Sequence, residues 1–248
     1  APAGTVANPT TATAGVTTLG GSGGYVEVDA RTSTLTVNEA ILTTPAAGAA
    51  TAGGSVILEA AGAITLQTSG TITTTGAANT TGVGGVGGEV FVHSGATAGD
   101  ITIGKNITAK GGSAGSGGTT GGNGAVVTIA NDNGSILITA GAIDVSGGAT
   151  GSVAAGNGGT VQLKTAGTNA AITQSGETSA TAILATGATG GLLAVVSATG
   201  DVTLTNNTND VAKVAANIAT AGKFFKYTDA NALAIDTVAA AGALTAPS

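Results

Sequence analysis

Apolar residues alternate with small or polar ones along this chain in short runs, and glycine leads almost every run. "GGSVILEA" (53–60) recurs as "GGYVEVDA" (23–30), "GGEVFVHS" (87–94), "NGAVVTIA" (123–130), "GGTVQLKT" (158–165) and "GGLLAVVS" (190–197). The first inward apolar positions, Val26, Val56, Val90, Val126, Val161 and Leu193, follow one another at intervals of 30 to 36 residues. A second run follows each: "STLTV" (33–37), "AITL" (63–66), "DITI" (100–103), "SILI" (135–138), "AITQ" (171–174) and "DVTL" (201–204). A third often comes after one more turn, as in "TITT" (71–74), "NITA" (106–109) and "AIDV" (142–145).

Period-two alternation marks strands with one buried face, and self-similarity at a fixed period marks a repeat architecture. No unit holds a helix long enough for a βαβ crossover. Three short strands per unit therefore predict an all-β parallel β-helix, a solenoid of about seven coils, with glycines supplying positive φ at the corners. Ile64, Ile101, Ile136, Ile172 and Val202 should stack down one inner face. Val28, Leu58, Val92, Leu163 and Val195 should stack down another, with Thr128 out of place in that column. The solenoid spans 23–238, after an extended segment (1–22) that serves as strand donor or cap, and before a tail (239–248).

The extra residues fall between the third strand of one unit and the first of the next: "TPAAGAATAGG" (44–54), "GAANTTGVGGVGG" (76–88), "GGSAGSGGTTGGNG" (111–124) and "GGATGSVAAGNGG" (147–159). Stacked coils align these as a fin along one edge. The fin is either tolerated surface insertion, so that shortening 111–123 costs little, or an uncharged packing surface for a neighbouring chain. One other segment has a competing reading. Val211, Val214, Ala215 and Ile218 have helical spacing within 210–221, but strand and turn are expected there.

Composition narrows the function classes. Charged residues make up 8% of the chain, against about a quarter in an ordinary domain, and 44 residues are glycine. With 42% hydrophobic residues the chain has the apolar supply that disordered segments lack. A net charge of -6 and only seven Lys plus Arg leave no basic stripe for nucleic acid. No stretch is long and apolar enough to span a bilayer as a helix. The absence of cysteine excludes disulfides and thiolate metal sites, and suits an exposed, secreted protein.

The segment "NDVAKVAANIATAGKFFKYTDANALAIDTV" (209–238), with its "YTDANAL" and following "I-x-T-V", resembles a unit of the filamentous-haemagglutinin-type secreted exoproteins. "GGSVILEAAGAITL" and "GDITIGKNITAKGG" are similar to their repeats as well. The resemblance covers roughly residues 20–240. It implies a right-handed parallel β-helix on a bacterial surface or in the extracellular space, acting as fibre or adhesin.

Candidate chemistry is sparse. His93 is the only histidine and Arg31 the only arginine. His93 alternates outward with no nucleophile motif around it. Asp29 and Glu59 should stack on adjacent coils beside it, forming the one acidic cluster that could attract a cation. "GVGGVGG" (82–88) lacks the Lys-Ser/Thr ending of a phosphate loop. Neither catalytic residues, a cofactor nor a metal site is expected. Outward Thr36, Thr65, Thr102, Thr173 and Thr203 form a rank broken by Leu137. β-Propensity and cross-strand packing explain such a rank, and Asp100 and Asp201 beside it argue against an ice-binding face.

The expectation is a non-enzymatic extracellular fibre subunit. Its rivals are a ligand-binding adhesin segment, an ice-binding protein and a carbohydrate-active β-helix. The expected partners are further copies of the chain, joined end to end or by strand exchange, with host or matrix glycans or proteins as a second class. Val127, Ile129 and Leu137 are read as an exposed apolar patch on the fourth coil. Phe224, Phe225 and Tyr227 are read as a contact surface near the C-terminal end. Uncharged terminal stretches leave both ends of the solenoid unprotected against pairing.

Overall fold

The computed structural model describes residues 4–7, 16–17, 24–30, 32–95, 97–149, 154–176 and 178–237, with no side-chain description for 4–7 and 16–17. The described residues form a parallel β-solenoid. The chain begins with β1 (Gly4–Ala7) and β2 (Val16–Thr17), then makes a first three-stranded coil from β3 (Val26–Ala30), β4 (Leu35–Val37) and β5 (Ile41–Leu42). The next coils are β6 (Val56–Ala60), β7 (Ile64–Leu66), β8 (Ile72–Thr73), and β9 (Val90–Ser94), β10 (Ile101–Ile103), β11 (Ile107–Thr108). They are followed by β12 (Val126–Asn131), β13 (Ile136–Ile138), β14 (Ile143–Asp144), and β15 (Thr160–Thr165), β16 (Ile172–Gln174), β17 (Ile183–Leu184). Strands β18 (Leu192–Ser197), β19 (Val202–Leu204), β20 (Lys213–Ile218), β21 (Phe225–Tyr227) and β22 (Ala234–Ile235) complete the described fold.

Among the described residues five successive coils carry all three strands, fewer than the seven coils expected, and one or two strands are described in each flanking coil. Three parallel sheets result. The first runs β1-β3-β6-β9-β12-β15-β18-β20-β22, the second β4-β7-β10-β13-β16-β19-β21, and the third β2-β5-β8-β11-β14-β17. β1 pairs with β3 and β2 with β5, so parts of the segment set apart at 1–22 lie in register within the sheets. The tail at 239–248 lies outside the described residues. The ambiguous stretch at 210–221 carries strand β20. The helix found among the described residues is one 3-10 turn at Ser179–Thr181, and none is long and apolar enough to cross a membrane.

The core is a set of ladders. Ile64, Ile101, Ile136, Ile172 and Val202 stack in register down the second sheet, all 0% exposed. Leu35 opens that column, and Ile41, Ile72, Ile107, Ile143 and Ile183 make the matching column of the third sheet. β-Branched side chains suit such stacks because they are stiff and pack well on a pleated face.

In the first sheet the fourth coil is offset by one residue from the sequence expectation. The register joins Val90 to Val127 and Val127 to Val161, then Val92 to Ile129 and Ile129 to Leu163. Val127 and Ile129 are fully buried core residues, and the exposed patch assigned to them does not exist. The cause is Ala125. It stands where the other units have the second glycine of their pair, so "NGAV" looks aligned with "GGEV" although Gly124, not Asn123, starts the turn. With this register Thr128 points outward and the column has no polar intruder.

Polar residues close the corners. Ser94, Asn131, Thr165 and Ser197 lie one above another at the end of the first strand, all buried. Two donate to the corner of the preceding coil, Ser94 Oγ to Gly62 O (2.7 Å) and Asn131 Nδ2 to Gly99 O (2.9 Å), and two to the corner of their own coil, Thr165 Oγ1 to Ala170 O (3.1 Å) and Ser197 Oγ to Gly200 O (2.8 Å). These bonds satisfy backbone acceptors that the turning chain would otherwise leave unpaired.

The glycine-rich segments do stack along one edge, but they are neither loose nor merely tolerated. Their outgoing and returning limbs interlock through one backbone relay. Ala77 N–H donates to Thr51 O (2.9 Å), Gly85 to Ala77 (2.8 Å), Gly112 to Gly85 (2.7 Å) and Gly122 to Gly112 (2.9 Å). Gly148 then donates to Gly122 (2.8 Å), Gly156 to Gly148 (3.1 Å) and Ala188 to Gly156 (2.9 Å). A Cβ on Gly112 would sit 2.0 Å from Ala77 O, and one on Gly122 would sit 1.8 Å from Gly85 O. Among the described glycines positive φ occurs only at Gly48, Gly176 and Gly222. Close backbone approach, more than corner geometry, therefore accounts for the glycine content. The edge lobe is a second, hydrogen-bonded core.

Candidate functional site

The last described coil departs from a closed solenoid. β21 pairs Phe225 with Val202 and Tyr227 with Leu204, so both rings continue apolar columns of the interior. Their rings stack with centroids 6.1 Å apart and planes 6° apart. Ile218, Phe225, Tyr227 and Leu233 are only half-buried against the core. Ala216, opposite Val195, is exposed, and Ile235, opposite Val214, is 82% exposed. Inward positions that are buried in the middle of the molecule here have no layer above them among the described residues. Phe224 is exposed at 41%, with Lys226 Nζ 4.8 Å over its ring.

The residues singled out in the sequence thus separate. Phe224, Phe225 and Tyr227 gather on this terminal coil. Leu137 stands half-exposed in the outward rank of the second sheet, between Thr102 and Thr173, where the pattern places it. Val127 and Ile129 are in the core and away from any surface. Polar contacts hold the terminal coil in place. Tyr227 Oη donates to Asp229 Oδ2 (2.6 Å), and the Val211 backbone N–H donates to the same oxygen (3.1 Å). Burial, and then the bond to Asp229 and its charge, push the Tyr227 hydroxyl well above the usual tyrosine range. Lys213 pairs with Asp236 at 3.4 Å. The Thr237 backbone N–H, followed by Lys213, holds the Asp236 carboxyl below its ordinary value.

Away from this end, Asp29, Glu59 and His93 occupy one outward row of the first sheet, as their alternation predicts. Asp132 joins them from the corner after β12. His93 Nε2 lies 3.0 Å from Asp132 Oδ2, and Nδ1 lies 3.9 Å from Glu59 Oε1. Asp132 is 39 residues from His93 and in a turn, where strand alternation gives no direction, so the sequence carries no signal for this pair. Both ring nitrogens face carboxylates rather than a hydroxyl, and the neighbouring Ser94 hydroxyl donates inward to Gly62 O. Among the described residues no group of three or more His, Cys, Asp or Glu is placed to hold a metal ion. The arrangement is an electrostatic clip across three coils.

The threonine rank is in register from Thr36 through Thr65, Thr102, Leu137, Thr173 and Thr203, and Lys226 continues it. The aspartates beside it bond to neighbouring coils: Asp100 Oδ1 accepts from the Ser135 N–H (2.8 Å), and Asp201 Oδ1 from the Phe224 N–H (3.2 Å). No protein-family model, curated protein or solved structure matches the chain.

Proposed function

We propose that this chain is a non-enzymatic structural protein of the cell surface or extracellular space, of the filamentous-haemagglutinin type, whose copies join end to end. The observation that carries the reading is the last described coil, where Ile235, Ala216, Phe225 and Tyr227 stand at inward positions with no further layer over them among the described residues. A solenoid edge has the same period and the same columns as the layer it would receive, so a second copy is the partner whose shape and hydrogen-bonding pattern fit without rearrangement. Asp210, Asp229 and Asp236 balance Lys213, Lys223 and Lys226 on this coil, so no net charge repels a second copy. The "YTDANAL" stretch, which carries the family resemblance, lies on this same coil.

Sedimentation velocity over a wide concentration range tests the reading, with Ile235→Lys as the interface variant. Ile235 is so exposed that its replacement should change folding stability by no more than about 0.5 kcal/mol. The wild-type chain is expected to form concentration-dependent oligomers, and Ile235→Lys to shift them toward monomer at an unchanged melting temperature. A monomer that persists at high concentration in the wild type contradicts the proposal.

A further inference from the structure

The edge lobe rejoins the first sheet through a repeated tetrad: Val86-Gly87-Gly88-Glu89, Asn123-Gly124-Ala125-Val126, Asn157-Gly158-Gly159-Thr160 and Thr189-Gly190-Gly191-Leu192. Backbone bonds hold the tetrads in register, from Gly87 N–H to Asn123 O (2.9 Å), Gly124 to Asn157 (2.9 Å) and Gly158 to Thr189 (3.0 Å). Between lobe and sheet they enclose an open groove of about 500 Å³ that crosses several coils. Asn123, Asn157, Thr189, Glu89, Val126 and Thr160 line it together with glycines of the tetrads.

The asparagines are oriented by the backbone. Asn123 Oδ1 accepts the Asn157 N–H (3.0 Å), and Asn157 Oδ1 accepts the Thr189 N–H (3.3 Å). Tying the carbonyl half fixes each amide plane. Each Nδ2 is then left as a donor with no protein partner among the described residues, on two adjacent coils about 4.8 Å apart.

We propose that this groove binds an extended, neutral polysaccharide lying along the solenoid axis, with one sugar ring over each coil. An extended β-linked glycan presents a ring at close to the strand spacing, so two neighbouring rings reach the amide donors of Asn123 and Asn157 and a third reaches Thr189. An extended peptide advances about 3.3 Å per residue and falls out of step. Ring hydroxyls accept from Asn123 and Asn157 and exchange bonds with Thr160 and Thr189, while the Val126 side chain meets C–H faces. The glycine floor has no side chains to hold the ligand away. No cation lines the groove, Glu89 is its one charge and the chain is net acidic, which disfavours polyanionic glycans. The groove lies within a single chain, so the proposal is independent of end-to-end assembly.

Titration calorimetry of the full chain with cellohexaose, xylohexaose and mannohexaose tests it, with heparin and an extended peptide as competitors. Saturable binding of at least one neutral hexasaccharide is expected. Asn123→Asp and Asn157→Asp keep the oxygen that receives the backbone N–H and remove the free donor, so each should weaken binding about tenfold at an unchanged melting temperature. Thr160→Val, which keeps side-chain volume, should weaken it as well. Three results overturn the proposal: failure to bind all three oligosaccharides, affinity untouched in both Asp variants, or selective binding of heparin or peptide.

Discussion

At the scale of single residues, the glycines divide into those that serve conformation and those that serve contact, and the two kinds respond differently to substitution. Gly122→Ala would bring a methyl group to 1.8 Å from a backbone oxygen that belongs to the interlocked relay. Overpacking of this kind costs about 1–3 kcal/mol or more, and chemical denaturation should show a loss in that range. Gly95→Ala meets nothing nearer than the His93 ring at 3.4 Å and should stay within about 0.5 kcal/mol. A single sequence does not separate the two kinds, because glycine is written the same way in a turn and in a tight interface. That is why corner geometry was the natural expectation, and why Ala125 at a second-glycine position displaced the register of one strand. The two tyrosines provide a second residue-scale test. Burial, the bond from its hydroxyl to Glu27 (2.9 Å) and nearby carboxylates push Tyr25 up to about 12, and Tyr227 moves in the same direction. A folded-state value above the unfolded one stabilises the fold below the unfolded value of 10.0 and loses that contribution as pH rises toward 12. Spectroscopic titration of the phenols should show both ionising above the normal range, with stability falling across that alkaline window. Ionisation of both at the ordinary value would contradict the described contacts.

At the scale of elements, the strands were legible and the lobe was not. Inward Ile and Val at period two dictated three sheets, and all three lie in register along most of their length. The lobe segments show no alternation, so sequence patterning assigns them to surface insertion. Their order comes from backbone pairing between limbs, which composition alone does not encode. Shortening 111–123 to a minimal turn removes Gly112 and Gly122, the middle of the relay, and strands the partners Gly85 and Gly148. Unpaired buried backbone groups cost about 1–3 kcal/mol each, so this truncation should lower the melting temperature substantially or abolish folding. A variant that melts like the parent would return the lobe to the status of tolerated insertion. The same contrast explains the candidate sites. The aromatic run of the terminal coil stands out in a chain with 2% aromatic residues. The Asp132–His93 pair and the groove arise only from stacking units that are about one coil apart in sequence.

At the scale of the molecule, a solenoid is a one-dimensional object in which each coil contacts its neighbours, so its ends differ from its middle. In the middle, inward residues are fully buried, and a buried hydroxyl or amide closes the corner after the first strand at Ser94, Asn131, Thr165 and Ser197. At the last described coil the same columns reach Ala216 and Ile235, which are exposed, and Phe225 and Tyr227, which are half-buried, with no further layer among the described residues. The proposed role of this coil is to dock another copy. Electron microscopy of the concentrated full-length protein tests it most directly. End-to-end docking should give thin, unbranched filaments whose width is that of one solenoid and whose axial repeat is that of one chain, with Ile235→Lys giving short particles. A field of uniform particles one solenoid long, unchanged by concentration, would contradict it.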